Sequence, residues 1–251
     1  MTTEKSAWGW RVYGLGVIAM GLVCLVFGDF DSSQPVPKAF PDRTTLAYIV
    51  AVFLMVAGAA VEWRRTTAWA SAALAAYYTL IVTVVMNGHM MLKYPTEYGA
   101  YSGGSEPLAI AMGALIIFAS CADIDAARAA RLTRIAQIVF GVCAILFGGA
   151  HFFYMSLTAP LVPKWLPPNQ LFWGYATGIF HIAAGVAIIS GVRARLATIL
   201  LTVMYVGFTL LVHLPLAFGH PTDHFIWSEN AENLALIGVA WVVADSLRRR
   251  T

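Results

Sequence analysis

Charged side chains are scarce in this sequence: they make up 12% of its 251 residues, whereas 59% of the residues are hydrophobic. Soluble domains carry about 25% charged residues, so a water-exposed globular fold is excluded. The apolar runs are continuous and do not alternate with polar residues, which excludes a porin-like barrel. Backbone groups inside a bilayer must hydrogen-bond within their own segment. The chain is therefore predicted to be an all-α, polytopic membrane protein.

Cysteine is also rare, and redox-cofactor motifs are missing. Cys24, Cys121 and Cys143 fall in apolar runs and form no Cys-x-x-Cys pair, so neither a disulfide framework nor a thiol relay is predicted. The sequence lacks a flavin, dinucleotide or iron–sulfur motif. It also lacks a fixed-spacing metal signature, because His220 and His224 belong to a proline-containing loop. The net charge of +3 gives no reason to expect a nucleic-acid partner.

Eight apolar runs are long enough to be read as transmembrane helices. The predicted spans are roughly 8–28, 45–62, 67–87, 107–122, 135–153, 171–190, 195–214 and 231–247. The first run lacks a small-x-small cleavage site, so it is interpreted as a span and not as a signal peptide. Glu106 and Glu232 mark the predicted starts of the fourth and eighth spans, where a helix dipole stabilises an acidic residue. The alternative is a paired site in which either glutamate accepts a hydrogen bond from a ligand or a partner residue.

Lysine and arginine are distributed unevenly between the loops. If the N-terminus is cytoplasmic, twelve of these cations lie on the inner side and four on the outer side. Short cytoplasmic loops of membrane proteins carry such an excess of cations. We therefore expect a multi-pass protein of the inner (plasma) membrane with both termini in the cytoplasm.

The second half of the chain repeats the first at a distance of about 126 residues. The segment 101–109 reappears without gaps as 227–235, and Val36-Pro37-Lys38 reappears as Val162-Pro163-Lys164. Internal repetition at a fixed distance indicates a duplicated architecture. Because each half holds four predicted spans, the halves share one orientation. We predict two parallel four-helix units, residues 1–125 and residues 126–251.

Part of the second half resembles the DoxX-like family of bacterial integral membrane proteins. The similar residues are Leu161–Pro167, Phe172–Gly178, His181, Ala184-Gly185 and Arg193-x-Arg195-Leu196-Ala197. The first half resembles the family only through the repeat. The resemblance implies a four-helix fold for each unit. It also implies a link to quinones, since some members are subunits of thiosulfate:quinone or quinol-oxidising systems.

Five of the six histidines lie in the second half. His181 falls near the middle of the sixth span, where the first half has Leu54, and His151 corresponds to Asp31. Ionisable residues inside a membrane are costly and are functional candidates by default. The predicted ligand site, at the outer side of the second half, comprises His181, His151, His213, Tyr175, Glu232 and Lys164.

Two classes of function remain open for this site. One is a quinone-linked, redox-associated subunit in which His181 or His151 relays protons and a partner protein supplies electrons. The other is a non-enzymatic lipid-binding, carrier or assembly protein, in which Lys164 holds an anionic group or simply extends to the headgroups. Haem is not favoured, because His151 and His213 would have to face each other. A transporter is not favoured, because no span is clearly interrupted.

Overall fold

The computed structural model describes residues 8–248, and this part of the chain is helical without any β-strand. The long helices are α1 (Trp8–Phe27), α2 (Arg43–Glu62), α3 (Thr67–Lys93), α4 (Tyr98–Cys121), α5 (Ala126–Phe153), α6 (Gln170–Ser190), α7 (Ala194–Gly219) and α8 (His224–Ser246). Side-chain caps explain where three of them begin: Asp125, Asn169 and Asp223 each accept a hydrogen bond from a backbone N–H in the first turn. The all-helical prediction is confirmed.

Seven helices within residues 8–248, α1 to α7, are long and apolar enough to cross a membrane. This indicates a multi-pass membrane protein. The helix α8 is as long, with 23 residues, but Glu229, Glu232 and Asp245 lower its hydropathy. The eighth crossing therefore stays a prediction, and so do the choice of membrane and the side on which the termini lie.

The predicted starts of the fourth and eighth spans are wrong by about two turns of helix. The helix α4 begins at Tyr98 and α8 at His224, so Glu106 and Glu232 lie inside their helices and do not cap them. In the structure Pro107 is buried inside α4.

The two halves of the bundle have corresponding neighbours. The helix α1 packs against α2 and α8, while α5 packs against α6 and α4. Likewise α3 packs against α4, α7 packs against α8, and α4 and α8 contact each other at the centre. The first helix of each half thus lies against the last helix of the other half. The boundary at residues 125 and 126 and the parallel arrangement of two units stay predictions.

Glycines allow close contacts between neighbouring helices. A Cβ on Gly58 would lie 2.8 Å from the Gly14 carbonyl oxygen, and a Cβ on Gly185 would lie 2.4 Å from the Gly141 carbonyl oxygen. Both distances are too short for a side chain, so these helices touch through their backbones.

Two helices contain π-helical segments, Tyr77–Asn87 in α3 and Thr209–His213 in α7. Threonine hydroxyls support both: Thr83 donates to the Tyr78 carbonyl at 2.7 Å, and Thr209 donates to the Tyr205 carbonyl at 3.2 Å. Both helices stay continuous through these segments. Segments of this kind occur frequently at functional sites.

Four connections meet at one end of the bundle, here called the long-loop face: residues 28–42, 94–97, 154–169 and 220–223. Ser32 of the first connection bonds Glu229 of α8, and the Gly99 amide near the second bonds Tyr154 of the third. The Phe27 ring lies 4.9 Å from the His224 ring beside the fourth. The polar residues of the interior lie near this face.

Candidate functional site

The connection after α1 folds back into the bundle and buries Asp31. Asp31, Ser33 and Gln34 are each only 2% exposed. One Asp31 carboxylate oxygen accepts hydrogen bonds from the Ser33 amide at 3.0 Å and the Ser33 hydroxyl at 2.5 Å, and the Gln34 amide donates to the other. Burial raises the pKa of the Asp31 carboxyl above its ordinary value, although these donors oppose the rise.

The π-helical segment of α3 supplies further partners from both of its ends. The Tyr77 hydroxyl donates to the Gln34 side-chain oxygen at 2.5 Å. The Asn87 amide donates to the Ser33 carbonyl at 3.0 Å and to the Val82 carbonyl at 2.9 Å. This cluster, here called the Asp31 cluster, was not predicted. Its only sequence signal was the alignment of Asp31 with His151.

Glu232 of α8 joins the Asp31 cluster. It is 3% exposed, and one of its oxygens accepts hydrogen bonds from the Ser32 hydroxyl at 2.5 Å and the Ser33 amide at 2.9 Å. The Ser32 hydroxyl also lies 3.1 Å from Glu229. The predicted site residue Glu232 is therefore buried, and it hydrogen-bonds the connection of the first half and neither of the histidines.

Glu106 of α4 lies close enough to Glu232 for the two carboxyl groups to hydrogen-bond each other. Two carboxyl groups can do so only when one of them carries a proton, since carboxylates have no donor. Glu106 is also near Tyr205 of α7. The Tyr205 hydroxyl is buried and has no hydrogen-bond partner within residues 8–248. Of the two interpretations of the glutamates, the geometry favours the paired site.

The structure brings His181 and His151 together in the second half. His181 is 2% exposed, and its ring centre lies 5.4 Å from that of His151 and 5.6 Å from that of Tyr205. Phe147 and Phe208 complete the surroundings, each with its ring centre 6.1 Å from His181. Tyr205 therefore contacts His181 and lies near Glu106, which connects the carboxyl pair with the histidines.

The hydrogen bonds of Thr177 determine which ring nitrogen of His181 and of His151 carries the proton. The Nδ1 of His181 lies 2.9 Å from the Thr177 carbonyl oxygen, which can only accept, so Nδ1 donates. The Thr177 hydroxyl donates to the Trp173 carbonyl at 2.8 Å and therefore accepts from the Nδ1 of His151 at 3.1 Å. When neutral, both imidazoles thus present an Nε2 lone pair. Such a lone pair can accept a proton or a hydroxyl hydrogen bond.

The remaining predicted site residues lie apart from the histidine pair. His213 ends the π-helical segment of α7 and has no ring contact or hydrogen bond with His151 in the described part of the chain. Tyr175 shares α6 with His181, but it is 46% exposed and packs on Phe152 at the outside of the bundle. Lys164 is exposed in the connection between α5 and α6.

A groove runs between that connection and the end of α7, with a volume of about 400 Å³. It is lined by Pro160, Leu161, Val162, Pro163, Lys164, Trp165, Leu210, Leu211, Val212, Pro215 and Leu216. Two side chains of α6 hold the connection in place: Gln170 donates to the Val162 carbonyl at 2.6 Å and Trp173 to the Pro167 carbonyl at 2.9 Å. The predicted residue Lys164 is thus part of a groove.

Within residues 8–248, no three His, Cys, Asp or Glu side chains are grouped so that they could hold a metal ion. His151 and His213, the pair considered for haem, do not contact each other in this region. What the residues offer instead are proton donors and acceptors: a carboxyl pair, two imidazoles and a tyrosine hydroxyl.

One comparison with known proteins gives a match. A family model described as a domain of unknown function (DUF8561) matches residues 140–243, from the middle of α5 to near the end of α8. The match covers the histidine pair, Tyr205, the groove and Glu232, but less than half of the chain. No curated protein and no solved structure matches the chain.

Proposed function

We propose that this protein is a quinone-linked subunit of the bacterial inner membrane that exchanges protons with a quinone-like ligand beside His181. The observation that carries the proposal is the pairing of His181 and His151 through Thr177. Both imidazoles offer an Nε2 lone pair, and aromatic rings suited to an apolar ring system surround His181. Buried ionisable residues of this kind are functional candidates by default.

The chemistry requires a route for both protons and electrons. Oxidation of a quinol releases its two hydroxyl protons and two electrons, and reduction of a quinone reverses this. Nε2 of either histidine can receive a proton, and Tyr205 provides a hydroxyl between His181 and the carboxyl pair. Because no redox-cofactor motif is found, a partner protein would take up or supply the electrons.

The DoxX-like resemblance of residues 161–197 supports this proposal, since some members of that family belong to quinone-linked systems. The corresponding packing of α1 with α2 and of α5 with α6 supports two fused four-helix units. Under this proposal α8 also crosses the membrane, and both termini lie in the cytoplasm.

A lipid-binding, carrier or assembly protein is the second candidate, and the apolar groove beside Lys164 favours it. Extraction of bound ligands separates the two. The full chain is purified in mild detergent, extracted with organic solvent and analysed by mass spectrometry. We expect bound quinone in the wild type and at least about a tenfold loss in His181→Leu, which corresponds to about 1.4 kcal/mol of binding free energy.

His89→Leu is the matched control, because His89 is exposed at the end of α3 and lies in the first half. We expect this variant to keep its quinone, while monodisperse elution of each variant shows that it is folded. Phospholipid alone in the wild-type extract would reject the quinone proposal and favour the second candidate. Quinone retained in folded His181→Leu would show that His181 is structural.

A further inference from the structure

The groove between the α5–α6 connection and α7 has the dimensions of a ligand site. Its volume of about 400 Å³ falls within the range of about 300–1,000 Å³ that is usual for small-molecule pockets. Every lining residue except Lys164 is apolar. A ligand that fits must therefore be mostly hydrocarbon, with one group that a cation can bind.

Prolines and hydrogen bonds hold the walls of the groove in place. Proline fixes the backbone of the connection at Pro160 and Pro163, and the hydrogen bonds from Gln170 and Trp173 tie the connection to α6. The opposite wall is Leu210–Val212 of the π-helical segment, followed by Pro215. A rigid groove loses little conformational entropy when it binds a ligand.

Lys164 gives the groove its charge preference. Its side chain is exposed, and no acidic residue within residues 8–248 forms an ion pair with it. The connection lies at the long-loop face, where the helices of a multi-pass protein reach the membrane surface. Leu210, Leu211 and Phe218 on the same part of α7 are exposed apolar residues, as expected where a helix faces lipid.

The matching segment of the first half is used differently. Lys38 corresponds to Lys164, but the connection around it buries Asp31, Ser33 and Gln34 in the bundle and pairs Arg43 with Asp29 at 2.5 Å. Lys38 itself is exposed and does not line the groove. The repeat therefore contains two lysines in matching sequence contexts, Lys38 and Lys164, and only Lys164 lines the groove.

We propose that the groove binds one anionic phospholipid, whose phosphate contacts the Lys164 ammonium and whose acyl chain lies along Leu210, Leu211 and Pro215. This proposal does not depend on quinone binding. A zwitterionic lipid carries the same chains but less net attraction to a cation, so the site discriminates by headgroup charge. A basic residue near an anionic membrane surface contributes about a fivefold gain in binding.

The test is native mass spectrometry of the full chain with added phosphatidylglycerol or phosphatidylcholine. We expect the wild type to bind phosphatidylglycerol more tightly, Lys164→Gln to weaken that binding about fivefold, and Lys38→Gln to leave it unchanged. Leu211→Trp, which fills the groove, should reduce the binding of both lipids. An excess of glycerol phosphate should not displace the lipid, because the headgroup without its chains gains nothing from the groove.

Several outcomes would overturn the proposal. Equal binding of the two lipids by the wild type would remove the charge preference, and an equal effect of Lys38→Gln would show that any surface lysine suffices. Unchanged binding in Leu211→Trp would place the lipid elsewhere. Displacement by glycerol phosphate would reduce the site to a headgroup contact. Since quinone content is measured separately with His181→Leu, failure of either proposal can be recognised by itself.

Discussion

Thr177 hydrogen-bonds both His151 and His181 and so holds the two rings in place. Its carbonyl accepts from His181 and its hydroxyl accepts from His151, so one side chain sets the orientation of an imidazole on a different helix. Both rings then direct Nε2 away from Thr177. The two histidines are therefore linked through Thr177. Among the groups that link them, only the Thr177 hydroxyl can be removed while the side-chain volume stays nearly the same.

Thr177→Val is expected to destabilise the protein and loosen His151. Valine keeps the shape but cannot accept the Nδ1 hydrogen, and interhelical hydrogen bonds in membranes are worth about 0.6–1.7 kcal/mol. The control is Thr202→Val, because the Thr202 hydroxyl bonds only the Thr198 carbonyl of its own helix. Denaturant unfolding of both variants in detergent measures the difference. Equal stability of the two variants would show that the contact between Thr177 and His151 contributes nothing.

Some of these residues could be predicted from the sequence and others could not. His181 stands out because an ionisable residue in an apolar span is costly wherever the helix packs. The Asp31 cluster does not stand out, since Ser32, Ser33 and Gln34 look like ordinary loop residues. Their burial depends on the connection folding back against α3 and α8, and no local pattern encodes that fold. The pairing of Glu106 with Glu232 had only their matching positions in the repeat as a signal.

At the scale of helices, close approach depends on glycine. Gly141 and Gly148 of α5 face Gly185 and Gly178 of α6, and in each pair an added Cβ would come within 3.1 Å of a carbonyl oxygen. His151 and His181 lie on these same two helices, beside the second glycine pair. The spacing of α5 and α6 therefore determines whether Thr177 can reach His151.

Gly185→Ala is expected to separate α5 from α6. Its Cβ would lie 2.4 Å from the Gly141 carbonyl oxygen, and overpacking of this kind costs about 1–3 kcal/mol. Gly207→Ala in α7 is the matched control, since a Cβ there meets nothing within 4 Å and alanine favours a helix by up to about 1 kcal/mol. Thermal unfolding should show a lower midpoint for the first variant and an unchanged or higher one for the second. Similar midpoints would mean that α5 and α6 can move apart freely.

The position of a helix can be predicted from the length of its apolar run, except where polar residues lie inside the helix. The other helices apart from α5 begin within two residues of the predicted starts, because their apolar runs are bounded by charged or proline-rich segments. The helix α5 begins at Ala126, nine residues before the predicted 135. The helices α4 and α8 begin earlier than predicted because Ser102–Ser105 and Ser228–Asn230 interrupt the apolar pattern while remaining helical. The π-helical segments of α3 and α7 had no signal in the sequence, since their residues are as apolar as those of an α-helix.

For the whole molecule, the arrangement of helices places α4 and α8 side by side at the centre, each packed against the first helix of the other half. The carboxyl groups of Glu106 and Glu232 meet at this contact, between the Asp31 cluster and the histidine pair. The repeat predicted that the two halves would have corresponding elements. It could not predict that α1 packs on α8 and α5 on α4, because such contacts between halves leave no periodic pattern in the chain.

The membrane position of the carboxyl pair depends on whether α8, the least apolar of the long helices, crosses the membrane with its buried Glu232. Lys38→Cys and Arg248→Cys, each in a chain whose native cysteines are replaced by alanine, are labelled in cells with a membrane-impermeant maleimide. We predict that residue 38 reacts in intact cells and residue 248 only after permeabilisation, because α8 carries the chain from the long-loop face to the opposite side. Labelling of both residues from the same side would contradict the crossing of α8 and remove the carboxyl pair from the membrane interior.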